Sequence, residues 1–308
     1  MTTQSAPGKV ILFGEHAAVY GRPAIAVPVT QVQATATVQD QPRGSGCFIS
    51  APDVNHAFRL ADAPDQDPLA AIVYETLTHL GAPEPDVTIT LRSTIPIASG
   101  MGSGAAVSTA IARALAEHLG RPLDADTLSA LVFEVERLHH GTPSGIDNTV
   151  ITRSQPVFFV KDRLVETFAV KSPLHLIIGD TGIPSSTKDV VGDVRAAREE
   201  RLEHYDSLFR QIGQITVMAR GAIVAGELYA LGALMDGNHW LLYQLGVSSP
   251  EIERLVQAAR QADALGAKLS GAGRGGNVIA LVQQDTQEAA AEAMRQAGAK
   301  NVIATIVS

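Results

Sequence analysis

The segment EVERLHHGTPSGIDN, residues 134–148, places three carboxylates where they can do chemistry. Glu134 and Glu136 lie on a predicted helix, and Asp147 follows a tight Thr-Pro-Ser-Gly turn. In phosphoryl transfer, one carboxylate can hold Mg²⁺ on nucleotide phosphates while another accepts the substrate proton. The alternative is ordinary surface charge with local turn chemistry, which we favour for Glu134 because helix glutamates usually face solvent.

Two glycine-rich segments can supply backbone amides to an anion. The first, PIASGMGSGAAVSTA at residues 96–110, precedes a predicted apolar helix whose positive end faces the same point as the amides. It matches neither a Walker A loop nor a Gly-x-Gly-x-x-Gly dinucleotide fingerprint. The second, KLSGAGRGG at residues 268–276, has adjacent glycines that indicate close approach of the chain to a ligand or to another loop. Simple turn formation is the alternative for both segments.

The elements that must position these residues begin with sheet. VILFG, AIAVPV and QVQATATVQ are rich in β-branched residues and predict three consecutive strands, and VTITLRSTI predicts another that leads into Pro96. The spacing of apolar residues predicts helices over residues 68–80, 105–119 and 124–140. Strand, glycine loop and helix therefore follow in order, so the second of these helices begins at the loop.

The second half of the chain mixes strands with longer helices. PVFFV and LHLIIGDTG predict strands, and a helical stretch from about Asp189 to Leu231 is interrupted near its glycines. The last segments alternate helix, strand, helix and strand: SPEIERLVQAARQA, NVIALV, TQEAAAEAMRQAG and NVIATIV. This order predicts antiparallel strands backed by helices rather than long βαβ repeats.

Composition excludes several classes of protein. A length of 308 residues favours two domains, and 45% hydrophobic residues allow a sizeable buried core. The net charge of -8 and the scarcity of basic runs argue against binding to nucleic acid or to an anionic membrane. Cys47 is the one cysteine of the sequence, so we expect a buried thiol rather than an intramolecular disulfide. The start of the chain lacks a signal-peptide pattern, and we expect a cytoplasmic protein.

Three motifs together resemble the GHMP kinase superfamily: APGKVILFGEHAAVYG at residues 6–21 and the two glycine-rich segments. HGTPSGIDN and TGIPSSTK, the latter at residues 181–188, are similar to its mevalonate kinase branch. The match covers most of the chain. It implies an α+β, two-domain GHMP kinase fold with the active site in the interdomain cleft. The implied domains are an N-terminal, ribosomal-protein-S5-like nucleotide-binding domain over residues 1–160 and a C-terminal, ferredoxin-like α/β domain over residues 161–308.

The resemblance also implies roles for individual residues. Lys9 and Asp147 correspond to the catalytic pair, with Asp147 as the base and the Lys9 cation lowering the pKa of the substrate hydroxyl. Glu136 and Ser103 correspond to the magnesium ligands. The implied site for ATP with Mg²⁺ consists of Pro96, Ser99, Gly100, Met101, Gly102, Ser103, Gly104, Ala105, Gly271 and Gly273.

The implied acceptor is mevalonate, which is phosphorylated at its C5 hydroxyl in isoprenoid biosynthesis. Other small-molecule kinases of the superfamily (mevalonate 3-kinase, homoserine kinase, galactokinase) and a non-catalytic binding protein of the same fold are the alternatives. The oligomeric state stays open, with a homodimer as the commonest assembly. The expected acceptor site consists of Lys9, Glu15, His16, Asp147, Thr181 and Lys188, with Lys188 or Arg195 facing the carboxylate.

Two motifs depart from the family pattern. Gly104 stands where the family usually has a second serine, so we expect Ser103 to serve the metal alone. In the third motif, Arg274 stands where glycine is common and Asn277 where a cysteine is frequent. Arg274 can contact phosphate or face solvent, and we favour solvent because surface arginines are common.

Overall fold

The chain folds into two compact units that draw on alternating stretches of sequence. The computed structural model describes residues 1–96, 99–140, 144–161, 163 and 165–308. The first unit contains Met1–Lys9, Val32–Ile97 and Gly102–Ser154, and the second contains Val10–Gln31, Ala98–Met101 and Gln155–Ser308. The predicted domain boundary at residue 160 concerns consecutive segments of sequence and stays a prediction.

Strands and helices are interspersed along the described part of the chain. The strands are β1 (Thr2–Phe13), β2 (Ala24–Asp40), β3 (Cys47–Ala51), β4 (His56–Arg59), β5 (Val87–Ser93), β6 (Val157–Phe159), β7 (Glu166–Thr167), β8 (Leu174–Asp180), β9 (Gly266–Ser270), β10 (Asn277–Val282) and β11 (Asn301–Val307). The helices are α1 (Pro68–Leu80), α2 (Ser103–His118), α3 (Ala125–His140), α4 (Ile146–Arg153), α5 (Thr187–Glu200), α6 (Leu202–Ala225), α7 (Leu228–Gln244), α8 (Pro250–Gln261) and α9 (Gln287–Gln296).

The first unit combines a sheet with helices α1 to α4. Strand β5 pairs in parallel with β3 and antiparallel with the end of β2, and β3 pairs antiparallel with β4. Helix α1 begins where Asp67 accepts hydrogen bonds from the backbone N–H groups of Leu69 and Ala70. It ends at Gly81, which adopts a left-handed conformation. Helix α2 packs against α1, α3 and α4, and its buried face is made largely of alanines, which allow close approach.

The second unit is built on a four-stranded antiparallel sheet in the order β11-β8-β10-β9. Its apolar core joins this sheet to the helices through side chains such as Ile177, Phe209, Leu242, Val256 and Val278. The start of β2 pairs with β6, which pairs in turn with β7. Among the described residues, no helix is both long enough and apolar enough to span a bilayer.

The structure confirms most of the predicted elements, corrects two, and adds β3, β4, β7, β9 and α4, which were not predicted. The predicted helix over residues 68–80 is confirmed at both ends, and the alternating helices and antiparallel strands near the C-terminus are confirmed. AIAVPV and QVQATATVQ are one continuous strand, β2, that runs through Pro28, so the prediction of two strands was wrong. The helical stretch after Asp189 divides into α5, α6 and α7, with breaks at Arg201 and Gly226. Strand β9 was not predicted, because GAKLS is short and contains a lysine.

Candidate active site

Lys9 and Asp147 form an ion pair in the first unit. Lys9 is a residue of β1, and Asp147 lies in the first turn of α4. This helix begins after Gly145, which adopts a left-handed conformation. The Lys9 Nζ lies 3.0 Å from the Asp147 Oδ1, and the two side chains are 6% and 33% exposed. The carboxylate is therefore held by a buried cation and remains accessible on its other side.

The glycine loop approaches this ion pair at Gly102. Gly102 has a φ of 71° and precedes the first turn of α2. A Cβ at this position would lie 2.8 Å from the Ile151 Cδ1 and 3.0 Å from the Lys9 Cγ. A larger residue would therefore need both an unfavourable backbone conformation and displacement of Lys9. The glycine brings the start of α2 against the lysine.

Glu136 reaches the same turn from helix α3. A Cβ at Gly104 would lie 2.9 Å from the Glu136 Oε1, so the space that a serine side chain would need is taken by the carboxylate. The amides in the first turn of a helix lack intrahelical partners and carry a positive partial charge, which stabilises such a carboxylate. Ser103 is the first residue of α2 and supplies a hydroxyl in this turn.

The oxygen donors near the start of α2 fit Mg²⁺ better than a metal ion that needs three or more protein side chains as ligands. Among the described residues, no three His, Cys, Asp or Glu side chains are grouped so that they could hold a metal ion. Mg²⁺ keeps several water molecules and commonly takes only one or two protein carboxylates besides substrate phosphates. A single carboxylate and a nearby hydroxyl suit that pattern.

Ser99, Gly100 and Met101 of the first glycine-rich segment belong to the second unit. The Asn277 Nδ2 donates a hydrogen bond to the backbone carbonyl of Ser99, which ties the loop to the start of β10. Gly100 adopts a left-handed conformation, and Met101 is buried. The Oδ1 of the same Asn277 amide is buried and has no partner in the described part of the chain.

Two further residues that were predicted to bind the nucleotide lie in the first unit. Pro96 is half-buried at the end of the described segment, and Ala105 is buried in the first turn of α2. Their neighbours in the motif, Ile97 and Ala98, lie outside the described residues, as do Thr142 and Pro143 of the turn before Asp147.

The third motif forms a loop of successive positive φ angles from Gly273 to Gly276. A Cβ at Gly273 would lie 2.0 Å from the Val247 carbonyl oxygen, and one at Gly275 would lie 2.5 Å from the Ile183 carbonyl oxygen. These two glycines therefore allow close approach to other loops. Gly271 has a φ of 94° but would meet no atom within 4 Å, so its requirement is conformational.

Arg274 forms an ion pair instead of facing solvent alone. Its Nη1 donates to the Asp193 carboxylate on α5, and its backbone N–H donates to the Val247 carbonyl at 2.7 Å. Its φ of 57° is unusual for a residue with a side chain. The arginine thus connects the third motif to the helix that follows TGIPSSTK.

His16 lies at the turn after β1 with its ring almost fully buried. Its φ is 60°, and its Nε2 lies 2.8 Å from the Ala272 carbonyl oxygen. Because a carbonyl only accepts, Nε2 carries the proton, which leaves Nδ1 as an acceptor. Burial lowers the pKa of the His16 imidazole, and the hydrogen bond to Ala272 opposes that shift. The ring is therefore neutral at pH 7.

Glu15, the residue before it, forms a fully buried ion pair with Lys268 of β9. Both side chains are 0% exposed. Burial lowers the pKa of the Lys268 ammonium, and the Glu15 carboxylate opposes that shift. Sequence analysis included Lys268 as the first residue of the third motif but gave it no role. A lysine between buried strand residues was the available signal, but nothing in the sequence identified its partner.

The predicted acceptor loop, TGIPSSTK, is only partly tied to the third motif. The Thr181 N–H and Oγ1 donate to the Gly276 carbonyl at 2.9 and 3.0 Å. The Ser185 hydroxyl donates to the Gly273 carbonyl, a contact that sequence analysis also missed. Lys188 and Arg195 are exposed residues of α5. The structure therefore brings Thr181, but not the Lys188 side chain, into a defined set of contacts.

Comparison with known proteins identifies relatives along almost the entire chain. Residues 69–154 match the family described as GHMP kinases N terminal domain, and residues 219–300 match GHMP kinases C terminal. The mevalonate kinases of Thermococcus sibiricus and Pyrococcus furiosus are each 34% identical to this chain, covering 98% of it and 95% of their own length. A crystal structure of L. major mevalonate kinase in complex with R-mevalonate is similar with a TM-score of 0.85 and 29% identity, covering 100% of this chain and 96% of that one.

Proposed function

The chain belongs to the GHMP kinase family, and we propose that it transfers the γ-phosphoryl group of ATP to the C5 hydroxyl of (R)-mevalonate. The predicted resemblance and the α+β fold are confirmed by the family matches and by relatives named as mevalonate kinases. One observation carries the chemistry: a buried ammonium lies 3.0 Å from a partly exposed carboxylate, beside a glycine loop at a helix start. A phosphoryl transfer to an alcohol needs these parts.

Asp147 is the proposed base of the reaction. Its carboxylate takes the proton of the C5 hydroxyl as the hydroxyl oxygen forms a bond to the γ-phosphorus and the bond to the bridging β,γ-oxygen breaks, which releases ADP. Lys9 stabilises the negative charge that develops on the attacking oxygen. No covalent enzyme intermediate is required.

The start of α2 is the proposed phosphate site. Backbone amides from Gly100 to Gly104 and the positive end of the helix stabilise the phosphate oxygens, because fixed dipoles aimed at developing charge need no reorganisation. Glu136 and Ser103 are the residues that would hold Mg²⁺ there. When bound, the ion neutralises charge on the transferring phosphoryl group and fixes its orientation.

The acceptor is proposed to bind against His16 and Thr181. A neutral His16 with Nδ1 as an acceptor can receive a hydrogen bond from a substrate hydroxyl, which a protonated imidazole cannot do. Glu15, predicted as an acceptor contact, is assigned instead to the support of this turn because Lys268 pairs with its carboxylate. Lys188 stays a candidate for binding the acceptor carboxylate. The homodimer and the cytoplasmic location also stay predictions.

The deciding experiment is ADP release with ATP and Mg²⁺ against mevalonate, 5-phosphomevalonate, 5-diphosphomevalonate, homoserine and galactose, with the product identified by mass and NMR. We expect turnover of mevalonate at C5 alone. Asp147→Asn should lower kcat by about 10²–10⁴-fold while ATP still binds, because only the proton acceptor is lost. Asp65→Asn, at an exposed residue of the same unit, is the matched control. Turnover of another acceptor would overturn the substrate, and unchanged turnover in Asp147→Asn would overturn the base.

A further inference from the structure

A polar seam joins β9 and the third motif to the end of β1 within the second unit. Ser270 donates from its hydroxyl to the Ile11 carbonyl at 2.9 Å, and the His16 ring donates to the Ala272 carbonyl at 2.8 Å. Two residues before Ser270, on the same face of the strand, Lys268 donates to Glu15. Alternate residues of one strand and its extension therefore contact three residues of the segment from Ile11 to His16.

Lys268 is the first residue of the third motif, and none of the roles proposed above uses its ammonium group. Its ammonium is fully buried and also donates to the Leu269 carbonyl at 2.6 Å. A buried cation is costly unless it is paired and hydrogen-bonded, and the Glu15 carboxylate supplies the pair. The two neighbouring residues on β9, Ala267 and Leu269, face the apolar core instead. The ion pair therefore fixes the position of one residue, Glu15, rather than contributing to general packing.

Fixing Glu15 also fixes His16, the next residue. His16 has a φ of 60°, which a residue with a side chain adopts only where its surroundings hold it. Its ring is held by the hydrogen bond to the Ala272 carbonyl, and the preceding residue, Glu15, is held by its ion pair with Lys268. Released from Lys268, the turn can relax toward a less strained conformation, and the ring would lose its orientation.

We propose that Lys268 is a positioning residue for the acceptor: it anchors Glu15 and thereby orients His16 without touching substrate. This inference rests on the proposed function for the identity of the acceptor. Its consequence is selective. Loss of Lys268 should impair binding of the acceptor much more than binding of ATP, because the nucleotide phosphates are assigned to the start of α2 and not to this turn.

The test compares Lys268→Met, Glu15→Gln and the double variant with wild type, and Lys171→Met serves as an exposed-lysine control. We expect Lys268→Met and Glu15→Gln each to raise KM for mevalonate by about tenfold or more, with KM for ATP within about twofold. The double variant should be no worse than the worse single variant, because both residues act through one turn. Equal changes in both KM values, unchanged KM in a folded Lys268→Met, or multiplying effects in the double variant would overturn the assignment.

Folding is controlled within the same set. Lys268→Met leaves a buried carboxylate without its cation, whereas the double variant removes both charges and avoids that penalty. If Lys268→Met does not fold, a mevalonate-selective rise in KM for the double variant decides in favour of positioning. If the double variant also fails to fold, Lys268 is required for folding and the positioning role is overturned.

A measurement without turnover separates this inference from the proposed function. The imidazole signals of His16 in an NMR spectrum, assigned by comparison with His16→Gln, should shift in Lys268→Met or the double variant and stay in place in Lys171→Met. Unchanged signals would overturn the link from Lys268 to His16 even if mevalonate is the substrate. Shifted signals would support the link even if wild type phosphorylates a different acceptor, in which case only the proposed function fails.

Discussion

At the scale of single residues, the Glu136 carboxylate occupies the space beside Gly104 at the start of α2. Gly104→Ser would restore the residue that the family usually has, but its Cβ would lie 2.9 Å from the Glu136 Oε1. The flexible glutamate can move aside, so we expect a loss of less than about 1 kcal/mol in unfolding free energy. Displacing the proposed metal ligand should instead raise the Mg²⁺ concentration that gives half-maximal activity.

The matched control for this substitution is Gly221→Ser on α6, where a Cβ would meet no atom within 4 Å. Mg²⁺ titrations of initial rate, together with urea unfolding, compare the two variants with wild type. A Gly104→Ser enzyme that needs less Mg²⁺ would show that the added hydroxyl serves the metal, and would contradict a displaced Glu136.

At the same scale, the sequence predicts roles for single residues but does not indicate which distant residues they contact. Lys9, Asp147 and the glycine loop belong to short motifs whose chemistry is local, so their selection needed no three-dimensional information. Lys268 and Asn277 act on residues far away in sequence, Glu15 and Ser99. No periodicity or turn pattern encodes such a pairing, because it depends on which strands the fold places side by side.

At the scale of elements, α7 approaches β9 through two glycines. A Cβ at Gly232 would lie 2.2 Å from the Leu265 carbonyl oxygen, and one at Gly266 would lie 2.1 Å from the Gly232 carbonyl oxygen. These contacts are to backbone, which cannot move aside cheaply. Gly232→Ala should therefore destabilise the protein by about 2–3 kcal/mol or more, since overpacking forces the helix away from the strand.

Gly237→Ala on the same helix is the control for Gly232→Ala. Its Cβ would lie 3.5 Å from the Ile215 Cδ1, an ordinary contact. Alanine is the better helix former by about 1 kcal/mol, so this variant should be as stable as wild type or more stable. Urea unfolding of both variants checks the pair, and equal stabilities would refute the close approach of α7 to β9.

His239 links three elements and makes the stability of this region depend on pH. Its Nδ1 accepts from the Leu269 N–H of β9 at 3.3 Å, and its Nε2 donates to Glu253 of α8. Burial lowers the pKa of His239 to about 4, with Glu253 opposing the shift. The folded state therefore binds fewer protons than the unfolded state, whose imidazole titrates near 6.5.

It follows that the His239 contribution is fully present above about pH 6.5 and is lost as pH falls toward about 4. Between pH 7 and pH 5, we expect His239 to account for at most about 2 kcal/mol of lost unfolding free energy. Urea unfolding of wild type and His239→Gln at both pH values measures this. A variant with the same pH dependence as wild type would assign the loss to other groups, such as His16.

The sequence predicted isolated elements more reliably than their continuity. Helix α1 has an aspartate cap, a proline in its first turn and a glycine after its end, so both boundaries were encoded locally. The continuity of β2 through Pro28 was not, because the strand pairs with β6 before the proline and with β5 after it. Tertiary pairing overrode the local signal.

At the scale of the whole molecule, the fold class predicted from the sequence is confirmed, and the predicted domain boundary at residue 160 stays a prediction. Alternating elements and three motifs indicate an α+β kinase. Each compact unit contains several separate stretches of sequence, and Lys9 and Val10 belong to different units although they are adjacent in β1. The glycine loop divides in the same way, with Met101 in one unit and Gly102 in the other. No local sequence pattern marks a boundary between compact units inside a strand or a loop.

Ligand binding gives a whole-molecule test of acceptor identity that does not depend on catalysis. A ligand that binds only the folded chain adds RT ln(1 + [L]/Kd) to its unfolding free energy, about 2.7 kcal/mol at 100 times Kd. The Asp147→Asn variant cannot consume its ligands. Its thermal unfolding temperature should therefore rise with ATP and Mg²⁺ and rise further with mevalonate. Galactose and homoserine should leave the unfolding temperature unchanged. If His16 and Thr181 are placed to bind mevalonate, a different acceptor would leave their polar groups without hydrogen-bond partners. A shift with galactose and none with mevalonate would retain the family but replace the substrate.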